Sequence, residues 1–198
     1  MEAAPLPLFP LHTVLFPGGP LALRIFEPRY LDMVRRCMKE HKSFGVVTIF
    51  EGAGAGAVAR LATLGTCARI VDFDPLPDGL LGITCIGEER VRILRRWQQS
   101  DGLHLAEVQH LSVAAPCELP AELAHLADLL REVLPRLGAG YAHVDAHFED
   151  AGWVADRWAE ILPLQPQDKL VLLELDEPLE RLSQVAAWSA RQPPAAHV

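Results

Sequence analysis

The sequence predicts an α+β protein, with a β-rich region over residues 1–112 interrupted by one helix and a helical region over residues 113–198. Three observations carry this. Short apolar runs alternate with turn signals through the first half. The composition changes at SVAAPCELP, residues 112–120. Beyond that point leucines recur three and four apart, the period of an α-helix rather than a strand.

Strands are expected over residues 6–9, 21–26, 45–50, 57–63, 66–73, 80–86, 89–99 and 103–110. Asp78-Gly79 and Asp101-Gly102 each separate two of these runs, and Asp-Gly tolerates the positive φ of a tight hairpin turn. The one helix of this region follows Pro28, where a missing N–H costs nothing in the first turn. Over residues 29–40 it places Tyr30, Met33, Val34, Cys37 and Met38 on one face. In the second half, Leu119, Leu123, Leu126, Leu130, Leu134 and Leu137 form an apolar stripe that ends at Gly138 and Gly140. Trp153, Val154, Trp158, Ile161 and Leu162 form another, with Asp150 as its cap and Pro163 as its stop. Pro166 and Pro178 each open a further helix, and the tail over residues 191–198 is expected to fray.

Composition narrows the function classes. Half of the 198 residues are hydrophobic, enough to bury a core. The net charge of -8 argues against nucleic acid as the main partner, because phosphate binding rests on clustered Lys and Arg. Cys37, Cys67, Cys85 and Cys117 show no metal-ligand spacing such as CxxC, and they read as reduced thiols in a cytoplasmic protein. MEAAPLPLFP has neither the basic region nor the apolar core of a signal peptide. No apolar run approaches the ~20 residues that span a bilayer, so no membrane association is expected.

Four blocks of the first half share an order and spacing with one family. They are LPLFPLHTVLFPGGPLALRIFEPRY at residues 6–30, FGVV at 44–47, LGTCARI at 64–70 with LPDG at 76–79, and IGEERVRI at 86–93. The chain resembles the LON substrate-binding domain found at the front of the ATP-dependent protease La. That resemblance implies a PUA-like β pseudobarrel followed by a C-terminal helical bundle. It implies a non-enzymatic module for protein or peptide clients, held in a groove between the two halves. The alternative, also by fold analogy, is a PUA-like RNA-binding module.

No catalytic set accompanies these blocks. There is no GxxxxGK[ST] phosphate loop, so no counterpart of the family's ATPase domain is expected. Ser43, Ser100, Ser112, Ser183 and Ser189 lie neither in GxSxG nor in a recognisable Ser–Lys arrangement. Gly52, Gly54 and Gly56 with Ala57 fit GxGxx(G/A), and Asp72 follows at the distance of a ribose-binding acid. Gly65-Thr66 cuts the required helix short and hairpin signals replace further βαβ units, so a strand-to-strand loop is the favoured reading. His143 and His147 lie four apart, but Val144 stands where a zinc protease needs Glu and nothing fixes a third ligand. No cofactor and no metal is therefore expected.

The residues kept as partner-binding candidates are Arg24, Phe26, Glu27 and Arg29 from RIFEPRY, with Arg90 and Arg92 from the basic run that also holds Arg95 and Arg96. Alternation would put Arg90, Arg92 and Arg96 on one face of a strand and Arg95 on the other, and a salt-bridged face is favoured over an RNA contact. Glu27 and Arg29 are expected to pair with each other or to serve the first helical turn. Phe9, Phe16 and Phe26 are expected in the core. An apolar patch left exposed between the two halves would mark a partner site.

Overall fold

The computed structural model describes residues 4–50, 60–77 and 79–191. It divides into two compact units, one made of Met1–Val113 with Ala139–Val144 and the other of Ala114–Gly138 with Asp145–Val198. The architecture is α+β, with a six-stranded sheet and five α-helices among the described residues.

The first unit contains β1 (Leu6–Leu11), β2 (Pro20–Ile25), α1 (Pro28–Glu40), β3 (Phe44–Phe50), β4 (Arg60–Pro75), β5 (Leu81–Gln98) and β6 (His104–His110). The strand order is β2-β5-β4-β3-β1-β6, and β5 also pairs with β6. That extra pairing returns the ladder to β5, so β5, β4, β3, β1 and β6 form a closed ring with β2 attached alongside β5. The β1–β3 pair is parallel and the others are antiparallel.

Closure depends on two strands longer than the sequence suggests. Breaks were expected near Gly65 and between Ile86 and Glu89, yet β4 and β5 run through both points. Glycine explains the continuity. A Cβ on Gly65 would strike the Val46 carbonyl oxygen, and one on Gly87 would strike the Phe16 carbonyl oxygen. Glycine lets a foreign backbone approach there without ending the ladder. At Gly65 the approaching backbone is β3 at Val46, and at Gly87 it is the segment over residues 12–19, which buries Val14, Leu15 and Phe16. Gly18 N–H donates to the Gly87 carbonyl at 2.7 Å, Gly87 N–H donates to Gly19 at 2.9 Å, and Thr66 Oγ1 donates to the Leu15 carbonyl at 2.6 Å.

Helix α1 forms as its periodicity dictates and buries Tyr30, Met33, Val34 and Cys37. They join Phe9, Ile25, Phe44 and Leu103 in one apolar cluster. Each large side chain so buried contributes roughly 1.5–3 kcal/mol before entropy is charged. The Asp101-Gly102 turn also forms: Gly102 has φ 84°, and Leu103 N–H donates to Asp101 Oδ1 at 2.9 Å.

The second unit contains α2 (Ala124–Val133), α3 (Ala151–Ile161), α4 (Pro166–Glu174) and α5 (Pro178–Arg191). Helix α2 is shorter than its leucine stripe, because 3-10 turns replace both ends and Pro135 lies in the second of them. Asp150 caps α3 as expected, its Oδ1 accepting the Trp153 N–H at 3.0 Å. The interior of this unit carries charge. Arg157 is fully buried and donates to both carboxylate oxygens of Glu160 at 2.8 and 2.5 Å. Arg181 donates to Asp156 Oδ1 at 2.6 Å and to the Leu175 carbonyl at 2.7 Å.

Candidate functional site

The RIFEPRY segment turns from a strand into a helix. Ile25 ends β2 pointing into the core, so the next residue, Phe26, is directed outward and remains 66% exposed. This corrects the expectation that Phe26 is core; Phe9 and Phe16 are buried as anticipated. Glu27 occupies the N-cap position of α1 in extended geometry, without a side-chain cap bond. Its carboxylate instead pairs with Arg29 Nη2 at 2.5 Å, the internal pairing expected from sequence. Arg29 Nη1 donates to the Gly102 carbonyl at 3.1 Å, and its guanidinium lies 4.9 Å from the centre of the Tyr30 ring. Tyr30 stacks on Phe9 with centroids 4.0 Å apart.

These residues line a cleft of about 380 Å³ within the β unit. Its floor is Phe9, Ile25 and Tyr30, its sides include Leu11, Leu23 and Ile49, and Arg24, Phe26, Glu27 and Arg29 stand around it. The surface is apolar with few charged groups, the usual composition of a recognition site. His104 completes the lining, and burial with the nearby Arg96 and Arg29 holds its pKa below the ordinary imidazole value.

Four of the six candidate residues thus meet at one place, and Arg90 and Arg92 do not line it. Arg90 is 7% exposed, and Arg92 is exposed on β5. The alternation assumed for the basic run fails because the β5–β6 register shifts between Ile93 and Arg95. Arg95 pairs with Glu107 at 3.5 Å and lies over Trp97. His143 and His147 do not share a helix face. His143 ends a 3-10 turn and lies 3.6 Å from Asp72, whereas His147 meets the edge of Trp153. The glycine stretch at Gly52, Gly54 and Gly56 lies outside the described residues.

A second cluster was not anticipated. Cys67, Glu89 and His110 offer one ligand atom each, all within 4.8 Å of one another. His110 Nδ1 lies 2.7 Å from Glu89 Oε1. Burial, with Glu89 and Glu88 beside it, pushes the Cys67 thiol up to about 12. Burial would raise Glu89, but its own backbone N–H, His110 and Cys67 outweigh that and hold the carboxyl below its usual value. The cluster borders a cavity of about 480 Å³ that shares no lining residue with the cleft. Cysteine arithmetic could not find it, because its members come from three strands.

Residues 5–188 match the family model of the ATP-dependent protease La (LON) substrate-binding domain. A Lon protease of Anaeromyxobacter dehalogenans is 30% identical over 190 residues, covering 92% of this chain and 22% of that protein. The chain therefore spans about a fifth of the length of that curated relative. The crystal structure of a Lon N-terminal domain protein from Xanthomonas campestris is 39% identical, with a TM-score of 0.76, and covers 94% of this chain and 99% of its own. The N-terminal domain of a Mycobacterium avium complex Lon protease shares the fold at 17% identity, with a TM-score of 0.63, and covers 96% of this chain and 100% of its own.

Proposed function

The chain belongs to the LON substrate-binding domain family, and from that membership we propose that it is a non-enzymatic module that binds protein or peptide clients through the Phe26 cleft. The observation that carries this reading is an exposed Phe26 beside an apolar floor, with the charges of Arg24, Glu27 and Arg29 around it. Apolar client side chains would be buried there, and the charged residues would select against the wrong neighbours. In this reading the ring of strands is a PUA-like pseudobarrel, and α2 to α5 form a helical bundle, with residues 139–144 belonging to the strand unit rather than to the bundle. Free Cys37, Cys67, Cys85 and Cys117 support a reducing, cytoplasmic setting. Among the described residues no helix is long and apolar enough to cross a membrane. The burial of Arg90 and the pairing of Arg95 with Glu107 favour protein over RNA as the partner.

The test is binding of a fluorescently labelled unfolded protein by anisotropy. Phe26→Ala is expected to weaken it by about 2 kcal/mol, the size of an aromatic hot spot, while leaving the fold intact. Arg24→Glu is expected to change the salt dependence of the same binding. Unchanged binding by both variants would remove the cleft from consideration.

A further inference from the structure

We propose that Cys67, Glu89 and His110 form a three-ligand site for a zinc-class divalent cation, with a fourth position open to the neighbouring cavity.

The backbone explains how residues distant in sequence converge. Cys67 lies on β4 where the β4–β5 register shifts: Thr66 pairs with Arg90, but Ala68 pairs with Gly87. One extra residue on β5 is accommodated there, and such bulges re-aim side chains. Of the two adjacent acids, Glu88 is committed elsewhere, accepting from Ser43 Oγ at 2.5 Å and Arg69 Nε at 3.0 Å. Glu89 faces His110, which closes the group from the end of β6.

The donor set indicates the ion. One thiol sulfur, one imidazole nitrogen and one carboxylate oxygen suit zinc or cobalt, whereas magnesium and calcium prefer all-oxygen sets. Three protein ligands with an open fourth position is the arrangement of zinc sites that keep a solvent molecule. The His110 side chain is 57% exposed, which leaves a route for the ion. Lys42 lines the same cavity, but Glu40 holds its ammonium at 2.8 Å. Binding replaces the thiol proton by the metal: the S–H bond breaks, an S–M bond forms, and one proton goes to solvent.

The experiment uses the full chain, stripped with a chelator and titrated with cobalt(II). One equivalent should bind, with the near-ultraviolet charge-transfer band of a cobalt–thiolate bond, and zinc should displace it while magnesium does not. Cys67→Ser should abolish the band. His110→Gln should weaken cobalt binding by more than the ~10–100-fold typical of losing an outer-shell partner. Absence of the band in the parent chain would overturn the site, as would its persistence in Cys67→Ser. Because His110 is exposed, its variant should fold even if Cys67→Ser does not, and unchanged affinity in His110→Gln would be equally fatal. Phe26→Ala should keep the band, so failure of the client-binding reading would be distinguishable from failure of this one.

Discussion

The main core of the β unit gathers Phe9, Ile25, Met33, Val34, Phe44 and Leu103, and among the described residues of that unit only Arg90 brings a charge into the buried set. The helical unit instead buries Asp156, Arg157 and Arg181 beside its leucines. The difference follows from what each kind of element leaves unsatisfied. Strands in a closed ring satisfy their backbone laterally, so the interior needs few charged side chains. Helices of 9 to 14 residues end often, and each end leaves carbonyls without intrahelical partners. Arg181 meets the Leu175 carbonyl just past α4, and Lys169 Nζ donates to the Glu160 carbonyl near the end of α3 at 2.8 Å. The buried Arg181 and the half-buried Lys169 therefore meet the ends of short helices, while Asp156 balances Arg181 and Glu160 balances the fully buried Arg157.

The sharpest way to break this contrast is to remove one partner of an ion pair. Arg157→Ala should cost about 3–5 kcal/mol in urea unfolding, because it removes the guanidinium held against a nearly buried Glu160. Replacing both members by apolar residues, Arg157→Met with Glu160→Leu, should recover most of that loss. An equal loss in the double variant would show that the charges stabilise rather than merely compensate each other. In the β unit, Met33→Ala should cost about 3 kcal/mol through its cavity, with no double variant needed to interpret it. Asp150→Ala should cost about 1 kcal/mol by removing the cap of α3, read from the same unfolding curves.

The smallest effect concerns pH and sets the cleft against the rest of the β unit. The folded-state pKa of His104 lies below its unfolded value through burial, Arg96 and Arg29. The unfolded chain thus binds the proton more readily, so stability falls as pH drops from the ordinary imidazole range through the lowered value. His104→Gln should flatten that part of the stability–pH curve. An unchanged slope would assign the acid sensitivity to other groups.

Local chemistry made much of this molecule legible in its sequence. Pro28, Pro166 and Pro178 mark three helix starts, Asp150 marks a fourth, and Asp101-Gly102 marks a hairpin. Each of these signals acts within a few residues. What escaped acts at a distance. Gly65 and Gly87 read as interruptions because the backbones that need their missing side chains, at Val46 and Phe16, are remote in sequence. The cleft was half visible: Arg24, Phe26, Glu27 and Arg29 lie in one block, but Phe9, Ile49 and His104 come from β1, β3 and β6. Cys67, Glu89 and His110 carry no spacing signal at all, since a register shift brings them together.

Ring closure has a consequence for how the protein is made. Leu6 stands opposite Ala106 and Leu8 opposite His104, so the first strand of the unit to be synthesised pairs with the last. Strand β1 has its parallel neighbour β3 much sooner, but its other edge stays bare until β6 emerges. Pairings this distant in sequence form slowly. The nascent chain therefore passes through an interval in which an apolar, half-paired strand could add a stranger's edge instead of its own.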